Sequence, residues 1–225
     1  MTGATRSRRG LGVSAVDRRD LRSLSGAVLR RIAALYTVDV VRRETAQAPP
    51  AVKSGAGFAL RRAAAADDPL LLAAPVGAQR LRKVPRAVAR GDVAYLACVD
   101  EQVVGWIWLS RQSHRDPWSG LSFRLAPAEC YAYDLWSVPE YRTRGVGAFL
   151  VAGLLGKLAE DPSLRWVYGY VDRRNARNQT LMRMVFGFRT VQTVKHLCVL
   201  NARGWQIPLT DRPRHGPCSR SRERE

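Results

Sequence analysis

Residues 138–147, Val-Pro-Glu-Tyr-Arg-Thr-Arg-Gly-Val-Gly, combine the residue types needed to hold a pyrophosphate. A strand-like run (Tyr131 to Val138) enters this stretch, and a helix with one apolar side leaves it from about Ala148. Gly145 and Gly147 let backbone N–H groups turn inward and crowd an anion. The helix N-terminus adds partial positive charge, and Arg142 and Arg144 add full charges. Two other phosphate loops are excluded. A mononucleotide loop ends in Gly-Lys-Ser/Thr, whereas Gly147 precedes Ala148 and Phe149; a dinucleotide loop needs a third glycine where Leu150 stands.

The elements that must position this loop follow from hydrophobic periodicity. Gly57 to Arg62 reads as a strand, and Asp67 to Ala89 as one or two helices broken near Pro75 and Pro85. Val93 to Val99 and Val103 to Leu109 are strands joined by the polar hairpin Asp100-Glu101-Gln102. A loop over 110–127 leads to the strand Cys130 to Val138, then to a helix over Ala148 to Glu160. Strand Trp166 to Val171, helix Asn178 to Phe186 and strand Phe188 to Leu200 complete the order. Upstream, Leu21 to Tyr36 has helical spacing, Val38 to Val41 suits a short strand, and the Pro/Ala/Gly-rich run 46–57 reads as a linker. The expected organisation is a basic arm over 1–55, one α/β (α+β) domain over 56–201, and a basic, disordered tail over 202–225. The 21–44 segment could pack back on that domain.

The spacing Arg-x-x-Gly-x-Gly after a strand ending in Val-Pro-Glu-Tyr resembles the acyl-coenzyme A loop of the GNAT superfamily of N-acetyltransferases. Tyr170-Val171-Asp172-Arg173-Arg174-Asn175, a helix, and Gly187-Phe188-Arg189 look like that family's second cofactor motif. Gly-Phe falls one residue late, so Asn175 and Asn178 compete for the asparagine position and the helix–strand junction should carry a bulge. The resemblance spans about residues 56–201. It implies a mixed, mostly antiparallel, twisted sheet flanked by helices, with a V-shaped splay between two central strands. It also implies acetyl-CoA as cosubstrate and an amine acceptor. The pyrophosphate would sit on the amides of Arg142, Thr143, Arg144, Gly145, Val146, Gly147 and Ala148, and the pantetheine arm along Trp136, Ser137 and Val138. The amine would attack directly, without a covalent enzyme intermediate.

Direct attack needs a base for the amine and an acid for the departing thiolate. Asp134 is the first candidate base, because a carboxylate within Tyr131-Ala132-Tyr133-Asp134-Leu135-Trp136 should be partly desolvated and more basic. It could instead bind a substrate ammonium or an internal arginine; Glu129 is a lesser candidate. The family's helix tyrosine falls at Met182, which cannot donate a proton, so Tyr170, on a strand face shared with Tyr168, becomes the candidate acid. Trp106, Trp108, Trp118, Tyr131, Tyr133 and Trp136 are core residues or walls of an acceptor pocket, with the 110–127 loop as a lid. His114 and His196 complete no triad or metal set.

Composition bounds the remainder. A chain of 225 residues, 46% apolar, suits one core, and it contains no run of apolar residues long enough for a membrane span. Cys98, Cys130, Cys198 and Cys218 form no Cys-x-x-Cys pair, as expected of buried thiols in a reducing cytoplasm. Secretion is not expected, since no apolar signal core follows the N-terminal arginines. The net charge of +18 is Arg-dominated and spread along the chain, so solvated tails or nonspecific nucleic-acid contact both suit it. A catalytically degenerate acyl-CoA sensor is a further alternative, motivated by Met182. A monomer and a homodimer are both compatible, the latter through pairing of the last strand.

Overall fold

The computed structural model describes residues 33–52, 57–66, 68–115, 122–199 and 206–208. Its strands are β1 (Ala33–Glu44), β2 (Ala59–Ala63), β3 (Val93–Val99), β4 (Gln102–Ser110), β5 (His114–Arg115), β6 (Ser122–Phe123), β7 (Glu129–Ser137), β8 (Trp166–Asp172), β9 (Arg189–Val199) and β10 (Gln206–Pro208). Three short helices, α1 (Pro69–Ala73), α2 (Ala78–Leu81) and α3 (Val84–Ala89), precede β3. Helix α4 (Val146–Ala159) follows β7, and α5 (Ala176–Thr180) follows β8.

Eight of the described strands form one sheet in the order β10-β9-β1-β8-β7-β4-β3-β2, and β5 and β6 pair separately. Every pairing in the large sheet is antiparallel except β7 with β8. The alternation read from the sequence divides the residues between two faces. Val104, Ile107, Leu109, Cys130 and Val167 pack under Leu150, Leu154, Leu155 and Leu158 of α4. On the other face, Leu96, Trp106 and Trp108 lie under Leu71, Val84 and Ala87 of α1 and α3. That face continues past β7 as Val38, Val40, Tyr131, Tyr168 and Val194.

The N-terminal expectation needs correction. Residues 33–36 are strand, not the end of a helix, and 21–32 lie outside the described residues. The expected short strand at 38–41 is the middle of β1, which fills the gap between β8 and β9. The sheet therefore does not begin at residue 56, and the 33–44 segment belongs to it. Its backbone groups find partners on both edges, which an isolated amphipathic helix would not need. At the other end, Gln206–Pro208 lies within the expected tail yet pairs with Cys198, Leu197 and His196 of β9. Residues 1–32 and 53–56 of the arm, the tip of the 110–127 loop with Trp118, and residues 200–205 and 209–225 fall outside the described residues. The one or two helices expected over 67–89 are three short ones, α1 to α3, and the expected 110–127 loop carries the paired strands β5 and β6; the other differences are at element ends. The polar hairpin is a tight turn with Asp100 and Glu101 at positive φ (46° and 65°), the geometry that matches strand twist.

Two irregularities shape the centre. β7 and β8 pair only from Glu129 to Tyr131 against Trp166 to Tyr168, and then part. This is the expected splay. Opposite it, the β4–β7 register slips between Trp106–Trp136 and Trp108–Tyr133, because Asp134 adopts φ 48° and inserts one extra residue. Gly105 completes the arrangement: a Cβ there would lie 2.7 Å from Val146 Cγ1 and 2.8 Å from the Trp136 carbonyl oxygen. The missing side chain lets the first turn of α4 close onto the strands at the mouth of the splay.

Candidate active site

The loop between β7 and α4 begins with one 3-10 turn, Pro139–Tyr141, and ends at Gly145, the α4 N-cap, with φ 85°. A residue with a Cβ would be strained there, so glycine is required for backbone reasons. Within the loop the Tyr141, Arg142 and Arg144 amides are bonded to Val138, Pro139 and Tyr141 oxygens at 3.0, 3.2 and 3.0 Å. The amides of Thr143, Gly145, Val146, Gly147 and Ala148 donate to no acceptor among the described residues. Five orphan donors at the positive end of a 14-residue helix make a candidate anion cradle. Gly147 serves a different purpose from Gly145. A Cβ on it would meet Leu135 Cδ2 of β7 (4.0 Å) and Leu181 Cδ2 beyond α5 (3.9 Å) at ordinary contact distances, on the side of α4 that faces the end of β7.

The two loop arginines have distinct partners. Arg142 Nε donates to the Ser137 carbonyl (3.4 Å), and the Arg144 guanidinium lies 5.0 Å from the centre of the Tyr141 ring. Both side chains are exposed beside the cradle. Along β7, the Val138 amide is bonded to the Val104 oxygen (2.9 Å), on the β4 side. Strand alternation then aims the Trp136 amide at β4 as well, and turns the Ser137 amide to the edge that β8 has left. Of the three main-chain positions expected to meet a pantetheine arm, Ser137 is the one that faces the splay; the amides of Trp136 and Val138 point away from it.

The two asparagines of the second motif differ in what their side chains already bond. Asn175 is the N-cap of α5, its Oδ1 accepting from the Asn178 amide at 3.0 Å. The Asn178 side chain is half-buried, and its Oδ1 is shielded from solvent with no hydrogen-bond partner. A buried polar atom left bare costs stability unless something completes it, whereas Asn175 Oδ1 already has its partner. The late Gly-Phe has a simple cause. Residues Leu181–Val185 form a π-turn, with the Phe186 amide bonded to the Leu181 oxygen at 3.1 Å, and this absorbs one extra residue. The irregularity thus lies within the helix, just before the junction where it was expected. Met182 is buried in the core under α4, so no acid stands at that position.

On the opposite face of the sheet, the Asp134 carboxylate reaches α2, where Arg80 Nε donates to Oδ1 at 3.2 Å. Burial raises its pKa above the ordinary carboxylate value, while Arg80 and Lys83 pull it back down. The aromatic residues form a continuous wall beside it. Tyr131 stacks on Tyr133 (centroids 5.7 Å apart) and on Tyr170 (6.4 Å), while Trp108 stacks on Tyr133 and Trp136 meets Trp106. Tyr170 therefore shares the Asp134 side of the sheet. Tyr133 is fixed by donating to buried Asp92 (2.7 Å), which also holds Arg90 (2.6 Å); burial and Asp92 keep this phenol protonated. Glu129, the lesser base candidate, is buried and already accepts from the Tyr168 hydroxyl and the Ala126 amide, both at 3.0 Å. Burial pushes the Cys130 thiol up to about 12, which removes it as a nucleophile.

Sequence reading missed a third carboxylate. Asp39 of β1 is fully buried and accepts from Thr193 of β9 (2.6 Å), Gln179 of α5 (3.4 Å) and Arg173 after β8 (3.2 Å). Arg183 in the π-turn lies 3.7 Å away. One side chain thereby ties β1 to β9, to α5 and to the segment after β8. The signal was present, since Asp39 is a lone acid in an apolar run as Asp134 is, but its partners are more than a hundred residues distant. Removing it leaves several donors bare. Asp39→Ala should cost on the order of 2–3 kcal/mol, Asp39→Asn less because an acceptor remains, with urea midpoints as the readout. Equal midpoints for both variants and the parent chain would contradict this role.

No metal-ligating cluster occurs among the described residues, and none of the described helices is long and apolar enough to cross a membrane. Comparison with known proteins bears on the fold. A Drosophila protein of solved structure superimposes with a TM-score of 0.53 at 16% identity over 84% of this chain and 60% of its own. A GCN5-related N-acetyltransferase from Sphaerobacter thermophilus does so with 0.51 at 15% identity, over 83% and 57%. This chain thus spans about 60% of the length of those two structures. No curated protein sequence matches it. The sequence pattern of the acetyltransferase (GNAT) family matches residues 70–188, which contain the anion cradle, the splay and both motifs. With more than half of its length matched, the chain belongs to the GNAT acetyltransferase family.

Proposed function

We propose that this protein transfers an acetyl group from acetyl-CoA to an amine by direct attack. The observation that carries the reading is the row of five unsatisfied amides at the α4 N-terminus, following a strand, β7, that parts from β8 after Tyr131. Those amides suit a pyrophosphate, with Arg142 and Arg144 adding charge from outside. Asn178 Oδ1 and the Ser137 amide suit the amide groups of a pantetheine arm, and Ser137 or its neighbours can polarise the thioester carbonyl.

Bound there, the thioester supplies an activated acyl carbon. The chain's own groups do the rest. Asp134 takes a proton from the incoming amine, acting as general base. The aromatic wall of Tyr131, Tyr133 and Trp136 excludes water from one side of the amine. Tyr170 is the candidate donor to the departing sulfur. As the new C–N bond forms and the C–S bond breaks, the two protons balance: one leaves the nitrogen for Asp134, and one reaches the thiolate. The residues named for these roles lie between Tyr131 and Asn178.

The test is thiol release from acetyl-CoA with and without a panel of amines. Amine-dependent release, with the acylated amine identified by mass, is expected. Buried Met182, standing where the family places a tyrosine, favours the sensor alternative instead. That alternative requires saturable acetyl-CoA binding with no turnover of any amine.

A further inference from the structure

The acceptor side of the site carries an unusual distribution of charge. Residues 78–90, which form α2 and α3 beside Asp134, contain Arg80, Arg82, Lys83, Arg86 and Arg90 and no acid. Asp92, the next acid along, is spent on Arg90 and the Tyr133 hydroxyl. A polycationic acceptor would approach this rim against repulsion.

Arg80 narrows the chemistry further. Its Nε is bonded to Asp134 Oδ1 at 3.2 Å, but its two Nη groups donate to no acceptor among the described residues. The side chain is a third exposed, so this fork is open to a ligand. A guanidinium that spends Nε on one carboxylate still presents its Nη groups to a second. Lys83 stands three residues further on and is near enough to act on the Asp134 charge. The Arg80–Asp134 pair is therefore a dipole with its negative end at the candidate base and its positive end beside it.

Resting on the acetyl-transfer reading, we propose that the acceptor is an amine bearing a nearby carboxylate, an α-amino acid or a close analogue. Its amine lies against Asp134, at the oxygen not taken by Arg80. Its carboxylate lies across the Arg80 Nη groups. An amine and a carboxylate one carbon apart complement this pair end for end, which a simple alkylamine or a polyamine does not. Arg80 is then both the carboxylate clamp and the group that positions the base.

The experiment compares amine-dependent thiol release for the proteinogenic α-amino acids, their α-carboxamides, the matching decarboxylated amines and spermidine. The acetyl-CoA concentration is saturating, and the chain is used whole. For the best amino acid, kcat/KM should exceed that of its carboxamide by about 10–100-fold, mostly through KM, the range one charge-assisted hydrogen bond supplies. In Arg80→Gln the ratio should fall to within about threefold of unity. Because the ratio is read within each variant, a general loss through Asp134 cancels from it. Equal or better turnover of carboxamides or spermidine overturns the inference and leaves acetyl transfer standing. A preference that survives in Arg80→Gln overturns the role of Arg80. No turnover of any amine, beside normal acetyl-CoA binding, overturns this inference and the transfer reading together.

Discussion

Gly147→Glu should abolish acyl-CoA binding while leaving the fold intact. Gly147 has no positive φ, and a Cβ added there meets Leu135 and Leu181 at ordinary contact distances, so the backbone tolerates the change. The rest of the side chain would enter the cleft that a pantetheine arm must occupy, and its charge would oppose the diphosphate. Like-charge contact of this kind costs several kcal/mol, so affinity should fall on the order of 100-fold or more. A carboxylate in the first turn of α4 is also favourable to the helix, so the melting temperature without ligand should hold or rise slightly. Thermal shift and calorimetric titration with CoA separate the two effects. Retained CoA binding in a folded Gly147→Glu would mean that the ligand does not pass this glycine. Gly145→Glu is a poorer test, because φ 85° makes the backbone itself object.

Asp134→Asn carries the second large effect. Loss of a general base lowers turnover by about 10²–10⁴-fold, and here kcat should fall together with kcat/KM. The variant should not unfold. Asn still offers an oxygen to Arg80, and burial is the main cause of the raised Asp134 pKa. A carboxyl whose pKa is raised on folding favours the folded state when protonated and opposes it when charged. Its destabilising contribution is therefore present above the folded pKa and relieved as pH falls through it. Removing the charge at neutral pH should leave stability equal or slightly improved. The same direction governs the rate: activity is complete where Asp134 is ionised and lost as pH falls through its raised pKa. Replacing Arg80 by Gln removes a group that lowers that pKa, so the acidic limb should move to higher pH. A pH profile identical in Arg80→Gln, or turnover retained in Asp134→Asn, would remove Asp134 from the chemistry.

How far the sequence discloses this site depends on the range of the interactions that build it. The anion loop is local. Its glycines, arginines and flanking periodicities lie within a short stretch, and the structure places them as that stretch implies. The second motif is local too, and even its irregularity was visible as a one-residue delay before Gly187. The π-turn that explains the delay required coordinates, since helical periodicity does not distinguish one inserted residue from a late turn. Non-local features were hidden. β1 enters the sheet between β8 and β9 through pairings across more than a hundred residues, and no spacing within Ala33–Glu44 announces them. The bulge at Asp134 is set by the β4–β7 register, so the direction of its carboxylate could not be read from β7 alone. Arg80 is one of many arginines in the sequence, and only the fold selects it as the partner of Asp134. The choice between Asn175 and Asn178 likewise depended on which side chain the helix cap consumed.

On the proposed acetyl-transfer reading, the splay between β7 and β8 holds acyl-CoA with its diphosphate on the α4 amides. A crystal structure of the chain with acetyl-CoA tests it most directly. Pyrophosphate oxygens are expected within hydrogen-bond distance of the Val146, Gly147 and Ala148 amides, a pantetheine arm bonded to Ser137 and Asn178, and the thioester on the side of the bulge at Asp134. A cofactor bound elsewhere, or an unfilled cleft at saturating acetyl-CoA, would contradict it.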